Sequence, residues 1–351
     1  MKKDHLLVIR FSAMGDVAMV VPVVYSLARQ YPHLRITVLS RSFARPLFEN
    51  LAPNIGFMGA DLKNEYHGIQ GLNALFRRLA AKQFTAIADL HSVLRSEYLR
   101  LRFSLNHYHV RHINKHRKGR RRITASHNKQ LTQQPTSFEN YAEVFNKLGY
   151  PVDIQFRSIF PEEGGDTTLL PDTIQTTLKE AGQAIGIAPF AAHQGKTYPP
   201  QLMHQVVEQL LDRHPDARIF LFGRGEQEEK YFSEWCSQHP QCIDASRQLN
   251  SLYNELILMS HLRVMVSMDS SNMHLASLTG TPVVSIWGAT HPYAGFLGWG
   301  QKEENVVQTT LECRPCSIFG QKPCLRGDFA CLNNILPETI VEKTLKNLNI
   351  K

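Results

Sequence analysis

Arg10-Phe-Ser-Ala-Met-Gly-Asp16 sets a cation and a carboxylate directly after an apolar run at residues 6–9 and at the opening of a helical pattern. A helix start in that position turns free backbone N–H groups toward an anion or an acceptor. Asp16 reads in two ways: as a cap or first-turn acid stabilised by the helix dipole, or as a base for an attacking hydroxyl. Met268-Asp269-Ser-Ser-Asn-Met-His274 likewise follows an apolar run and precedes a helical one. There the hydroxyls of Ser270 and Ser271 and the backbone donors suit a diphosphate, with His274 one turn further along. The plainer reading is a capping turn, with Asp269 as the cap and His274 as a surface or core histidine.

Two further loops have the same placement. Ala188-Pro-Phe-Ala-Ala-His-Gln-Gly-Lys196-Thr-Tyr-Pro199 carries a lysine that is either a point charge for a leaving phosphate or simply solvated. Phe222-Gly-Arg-Gly-Glu226 offers a carboxylate to ribose hydroxyls, or only a helix cap. No G-x-G-x-x-G occurs in the chain, which removes support for a nicotinamide or flavin cofactor.

The elements that must hold these loops follow from periodicity. Short apolar runs at 6–9, 36–39 and 86–90 alternate with helical patterns at 15–30, 72–81, 95–102 and 138–148. This βαβ rhythm predicts a parallel sheet covered by helices. It lapses between 160 and 177 into Pro-Glu-Glu-Gly-Gly-Asp-Thr-Thr, then restarts with strands at 184–188, 218–222, 264–267 and 283–287. The expected organisation is one domain over 1–165, a second over 166–336, and a C-terminal helix in 337–351 able to pack on either. At 351 residues, two domains are also the prior from length alone.

Composition is that of an ordinary folded protein, with 43% hydrophobic and 20% charged residues. The N-terminus has too few apolar residues before Arg10 for a signal-peptide core. The most apolar run, 17–24, contains Pro22 and is far shorter than the roughly 20 residues that span a bilayer. A cytoplasmic protein is expected. The net charge of +8 is local: Arg111 and Arg122 bound the run RHINKHRKGRRR, and outside it 32 basic residues face 31 acidic. Such a run points to one surface that meets something anionic; a solvated loop and nucleic-acid binding are the alternatives. No aromatic residue interleaves it, which speaks against nucleic acid. Cys313, Cys316, Cys324 and Cys331 fall within nineteen residues. Structural metal, disulfides and plain packing all remain open for them.

Taken together and in order, these motifs resemble glycosyltransferase family 9, the ADP-heptose:lipopolysaccharide heptosyltransferases. The family's R/K-x-x-x-x-G-D opening is matched from Arg10 to Asp16, and its following proline by Pro22. Its P-x-x-x-x-x-x-K loop is matched from Pro189 to Lys196, its D-S/T-G-x-x-H turn by Asp269 to His274, and its G-x-x-E element closely by Gly223 to Glu226. Ser271 stands where the family has glycine, and Thr197-Tyr198 where Arg/Lys-Trp is common.

The resemblance implies an α/β fold of GT-B type, two Rossmann-like domains facing across a cleft. It also implies inverting transfer of heptose from ADP-heptose to a lipopolysaccharide inner-core acceptor, without metal or cofactor. Asp16 would be the base and Lys196 the cation on the departing diphosphate. Glu226, Asp269, Ser270, Ser271 and His274 would bind the donor. The run 111–122, in the presumed acceptor lobe, would meet the anionic glycolipid, with peripheral contact at the inner face of the cytoplasmic membrane and no nucleic acid. A different nucleotide sugar, or a non-catalytic binder of anionic polymers or nucleic acid, are the competing expectations.

Overall fold

The computed structural model describes residues 4–348, so the last three positions of the expected C-terminal helix lie outside the described residues. The chain packs as two compact units. The first comprises the described residues up to Lys115 together with Pro135–Phe156; the second comprises His116–Gln134 and the chain from Arg157 onward.

The first unit is built on five strands: β1 (His5–Ile9), β2 (Arg35–Ser40), β3 (Ile55–Gly59), β4 (Ala86–Asp89) and β5 (His109–His112). All neighbours pair in parallel, in the order β3-β2-β1-β4-β5. Every residue of β1 is buried, as a central parallel strand covered on both faces requires. Leu7 and Ile9 join the core formed by helix Gly68–Ala80 (Leu72, Leu75, Phe76) and helix Leu94–Leu105 (Leu99, Phe103). Leu6 and Val8 point the other way and are equally buried, on the face left to helices Val20–Gln30 and Ser137–Lys147, which pack on each other.

Six parallel strands form the second unit: β6 (Gln183–Ala188), β7 (Ala217–Leu221), β8 (Cys242–Asp244), β9 (Val264–Met268), β10 (Val283–Ile286) and β11 (Val306–Val307), in the order β11-β10-β9-β6-β7-β8. Ile185, Ile187, Val264 and Val266 meet Met203, Val206 and Leu210 of helix Pro200–Arg213. Ile340, Val341 and Leu348 of the C-terminal helix Pro337–Leu348 enter the same core, so this helix belongs to the second unit. The buried Tyr198 hydroxyl donates to the Ile335 carbonyl at 2.7 Å and ties down the approach to that helix.

Packing divides the chain at 156/157, ahead of the turn-rich 160–177 stretch. The stretch is already anchored in the second unit: Ile159 N–H donates to Leu278 O (2.9 Å), and Gly165 bonds to Ser260 Oγ (2.9 Å) and His261 Nε2 (2.7 Å). Residues 116–134 are likewise held there by Gln134 N–H to Tyr293 O (2.8 Å) and Lys129 Nζ to Glu312 O (2.8 Å). The basic run is therefore split, which corrects its assignment to the first lobe. Arg111 sits on β5, whereas Arg117–Ile123 is a helix of the second unit, with Ile123 buried and Arg120 over the Phe296 ring at 4.7 Å. No helix among the described residues is long and apolar enough to cross a membrane.

Both sheets share one topological property. The chain moves outward from β1 to β3 and then returns to place β4 beside β1; it repeats this from β6 to β8, returning at β9 beside β6. Loops leaving two such neighbours diverge at their carboxyl ends, and the crevice they leave is where open α/β sheets bind ligands.

Candidate functional site

In the first unit, the crevice between β1 and β4 is occupied by Arg10 and its partners. Arg10 is 7% exposed; it donates to the Leu90 carbonyl at 2.7 Å and pairs with Asp16 Oδ2 at 2.7 Å. Tyr141 closes the far side, its ring 6.0 Å from the guanidinium and its hydroxyl donating to the Asp16 carbonyl at 3.2 Å. Asp16 also accepts from the Ala13 N–H at 3.2 Å, so it caps the short helix Met14–Ala18 while remaining 27% exposed at its side chain. Cap and solvent-facing carboxylate are thus one and the same group, aimed by a buried cation.

His91 and Asp89 support this arrangement and carry no signal in the motif. Asp89, fully buried, accepts from the backbone N–H groups of His91 and Ser92 at 2.9 Å each, which folds the β4 exit under Arg10. Burial first, and the Arg10 charge second, push the His91 imidazole down to about 3. At neutral pH it is uncharged, so it does not compete with Arg10 for Asp16. The clue available in sequence was position: Asp-Leu-His-Ser follows an apolar run as the other site loops do.

The second unit presents its crevice between β6 and β9. Lys196, in the turn Gln194–Lys196, reaches across to Asp269 at the end of β9, with Nζ to Oδ2 at 3.0 Å. Thr290, beyond β10, donates to the same oxygen at 2.8 Å. Ser270 occupies the cap position of helix Ser271–Leu278, its hydroxyl 3.4 Å from that of Ser267. Ser271 opens this helix, and His274 lies one turn in, buried. The free N–H groups of the helix and the lysine make the crevice receptive to anionic oxygen.

Close packing of three loops fixes Lys196. The Gly195 carbonyl accepts from the Ala289 N–H at 2.8 Å, and a β-carbon on Gly288 would stand 2.5 Å from that carbonyl. Gly320, at φ +79°, lies against the lysine stem, where a β-carbon would collide with Cγ and Cδ.

Glu226 stands apart from this cluster. It opens helix Glu226–Gln238 and is exposed, beside a hollow of about 760 Å³ that Phe190, Gln194, Arg224 and Tyr231 also line. Two residues on, Glu228 folds back to accept from the Arg224 N–H at 2.8 Å, and burial pushes its carboxyl upward. Glu228 thereby braces the turn ahead of the helix, and among the described residues Glu226 accepts no capping bond.

Arg314 is the supporting residue hardest to read from sequence. Its guanidinium is buried and donates to the carbonyls of Gly288 (2.5 Å), Thr290 (2.9 Å) and Thr309, and to Gln308 Oε1 (2.8 Å). Burial pulls it down to about 10, with nearby thiols acting in the opposite sense. It holds the β10 exit loop, and through it Thr290 against Asp269. Arg314→Ala leaves these buried carbonyls unpaired and is expected to lower stability by about 3–5 kcal/mol, with Arg314→Lys recovering only part because it lacks the planar fork. Denaturant unfolding of the two variants checks this.

Cys313, Cys316, Cys324 and Cys331 are free thiols lining one cavity of about 20 Å³, roughly the room of one water. Cys331 is raised to about 11 by burial. Burial also acts to raise Cys324, but the N–H groups of Phe329, Arg326, Gly327 and Asp328 outweigh it and lower the thiol.

With this geometry in hand, comparisons with known proteins place the chain. The family model described as glycosyltransferase family 9 (heptosyltransferase) matches residues 72–322, more than two thirds of the sequence. A search of curated protein sequences gives no significant match. Among solved structures, E. coli heptosyltransferase WaaC with ADP superposes at TM-score 0.68 and 17% identity, covering 98% of this chain and 99% of that one. A family 9 glycosyltransferase from Veillonella parvula gives 0.72 at 16% identity (99% and 98% covered). E. coli ADP-heptose lps heptosyltransferase II gives 0.64 at 17% (98% and 98%). The architecture of two parallel-sheet α/β domains is accordingly of the GT-B type. The chain belongs to glycosyltransferase family 9, the heptosyltransferases.

Proposed function

We propose that this glycosyltransferase moves heptose from ADP-heptose to the inner core of lipopolysaccharide, with inversion and without a metal. The observation that carries the reading is the pair of opposed charge arrangements at the two topological crevices: a carboxylate aimed by buried Arg10, and a lysine held by Asp269 beside a helix start. Asp16 takes the proton of the acceptor hydroxyl as its oxygen bonds to the sugar carbon. The bond from that carbon to the diphosphate breaks, and the charge left on ADP is met by Lys196, Ser270, Ser271 and the helix N–H groups. His274 adds a donor from the first turn.

The hollow beside Glu226 suits a nucleoside, with Phe190 and Tyr231 as apolar walls and the carboxylate for ribose hydroxyls. ADP is the preferred nucleotide because the E. coli relative WaaC was solved with ADP and with ADP-2-deoxy-2-fluoro heptose. The acceptor meets the exposed Arg117, Lys118, Arg121 and Arg122, whose charge suits a phosphate-rich glycolipid at a membrane surface. Calorimetry with ADP, UDP and GDP tests the donor: tightest binding of ADP supports the reading, and preference for UDP or GDP removes it. Gly320→Ala is expected to cost about 1–2 kcal/mol of stability from its left-handed backbone. It should also weaken ADP binding by displacing the Lys196 stem, measured on the same calorimeter.

A further inference from the structure

Outside both crevices, helix Pro200–Arg213 and the end of helix Glu226–Gln238 bring His204, Glu208 and His239 together. One candidate ligand atom from each lies within 4.8 Å of the others, the one such group among the described residues. The Nε2 atoms of His204 and His239 are 3.2 Å apart. Two imidazoles on one tetrahedral zinc ion, with bonds of about 2.0–2.1 Å, hold their nitrogens about 3.3–3.4 Å apart. The pair already has the spacing of two ligands on one ion.

The rings are also held in place. His204 lies parallel to the buried Trp235, with centroids 5.5 Å apart and planes 4° apart. His239 closes the second helix, its N–H donating to the Trp235 carbonyl at 2.9 Å. Glu208 follows His204 by one turn on the same helical face and is exposed at the rim of a hollow that Gln205 and Asp212 also line. Facing nitrogens at this distance share either a proton or a cation, and the adjacent carboxylate favours the cation. The four thiols near Arg314 offer softer ligands, but no three of them meet the same spacing. We propose that His204, Glu208 and His239 form a site for one divalent transition-metal ion of the zinc class. Water completes its coordination, and the ion ties the two helices together. The site is independent of the transfer reaction proposed above.

The test uses the full chain, reduced and stripped of metal, with Zn²⁺ or Co²⁺ alone as the probe. Bound Co²⁺ should give visible d–d absorption from this site. Zinc should raise the thermal midpoint saturably, and the His204→Ala/His239→Ala variant should bind one equivalent fewer than wild type. Glu208→Gln should weaken zinc binding about tenfold, in line with the loss of a charged ligand or its support. Cys313→Ser/Cys316→Ser separates the thiols from this site. The proposal is overturned if zinc leaves the midpoint unchanged, or if all bound Co²⁺ shows the sulfur-to-cobalt charge-transfer band and is lost in the cysteine variant alone. The wild-type cobalt spectrum decides between histidine and thiolate ligation even where a variant fails to fold.

Discussion

Asp16→Asn is expected to lower kcat for sugar transfer by between about 10²- and 10⁴-fold, the range over which a positioned general base contributes. ADP affinity should be essentially unchanged, because Asp16 is placed in the first unit and the nucleotide is assigned to the second. Asparagine keeps an oxygen able to accept from the Ala13 N–H, so the cap on Met14–Ala18 survives. Arg10 loses its ion pair but keeps the Leu90 carbonyl and its contact with Tyr141, so the variant should fold. Transfer rates at saturating donor, paired with ADP calorimetry, measure both quantities. A fall in kcat matched by an equal loss of ADP binding would mean a structural role for Asp16 rather than proton transfer.

Lys196→Ala should have the second largest effect, with a different signature. Loss of a cation aimed at a leaving group typically removes about 10²–10³ in kcat, and here ADP binding should weaken as well. Stability should also fall, since the Asp269 carboxylate, 6% exposed, keeps only Thr290 as a side-chain partner among the described residues. A double-mutant cycle with Asp269→Asn should give a coupling of about 1–3 kcal/mol in unfolding free energy, because each partner's removal leaves the other's charge uncompensated. Additive losses would show that the pair is not an interacting unit. Lys196→Arg should not restore full activity, since a planar guanidinium fork replaces the compact ammonium charge that meets Asp269 Oδ2 at 3.0 Å.

The limits of sequence reading follow the physics of the sheets. Each of the seven strands anticipated from apolar runs has its counterpart among β1, β2, β4, β6, β7, β9 and β10. The four that periodicity did not reveal, β3, β5, β8 and β11, are the four sheet edges. An edge strand has one neighbour and partial burial, so its sequence needs no continuous apolar run: β5 is His-Val-Arg-His and mostly exposed, and β11 is two residues long. The loop motifs were legible because strand-end position, glycine and charge coincide there. Thr290 and Arg314 were not, because the contacts that tie them to the site, Thr290 to Asp269 and Arg314 to the Gly288 and Thr290 carbonyls, each span more than twenty positions along the chain. The basic run was visible as charge, but its attachment to the second unit depends on Ile123 and Gln134, which look unremarkable in sequence.

The central claim is that this chain joins heptose from ADP-heptose to a lipopolysaccharide-core acceptor. Mass spectrometry of the products formed from ADP-heptose and a truncated core glycolipid tests it most directly. The account predicts a glycolipid heavier by one heptose, with ADP released in equal amount. An unmodified glycolipid in the presence of folded, ADP-binding protein, or transfer only from a different sugar nucleotide, would contradict it.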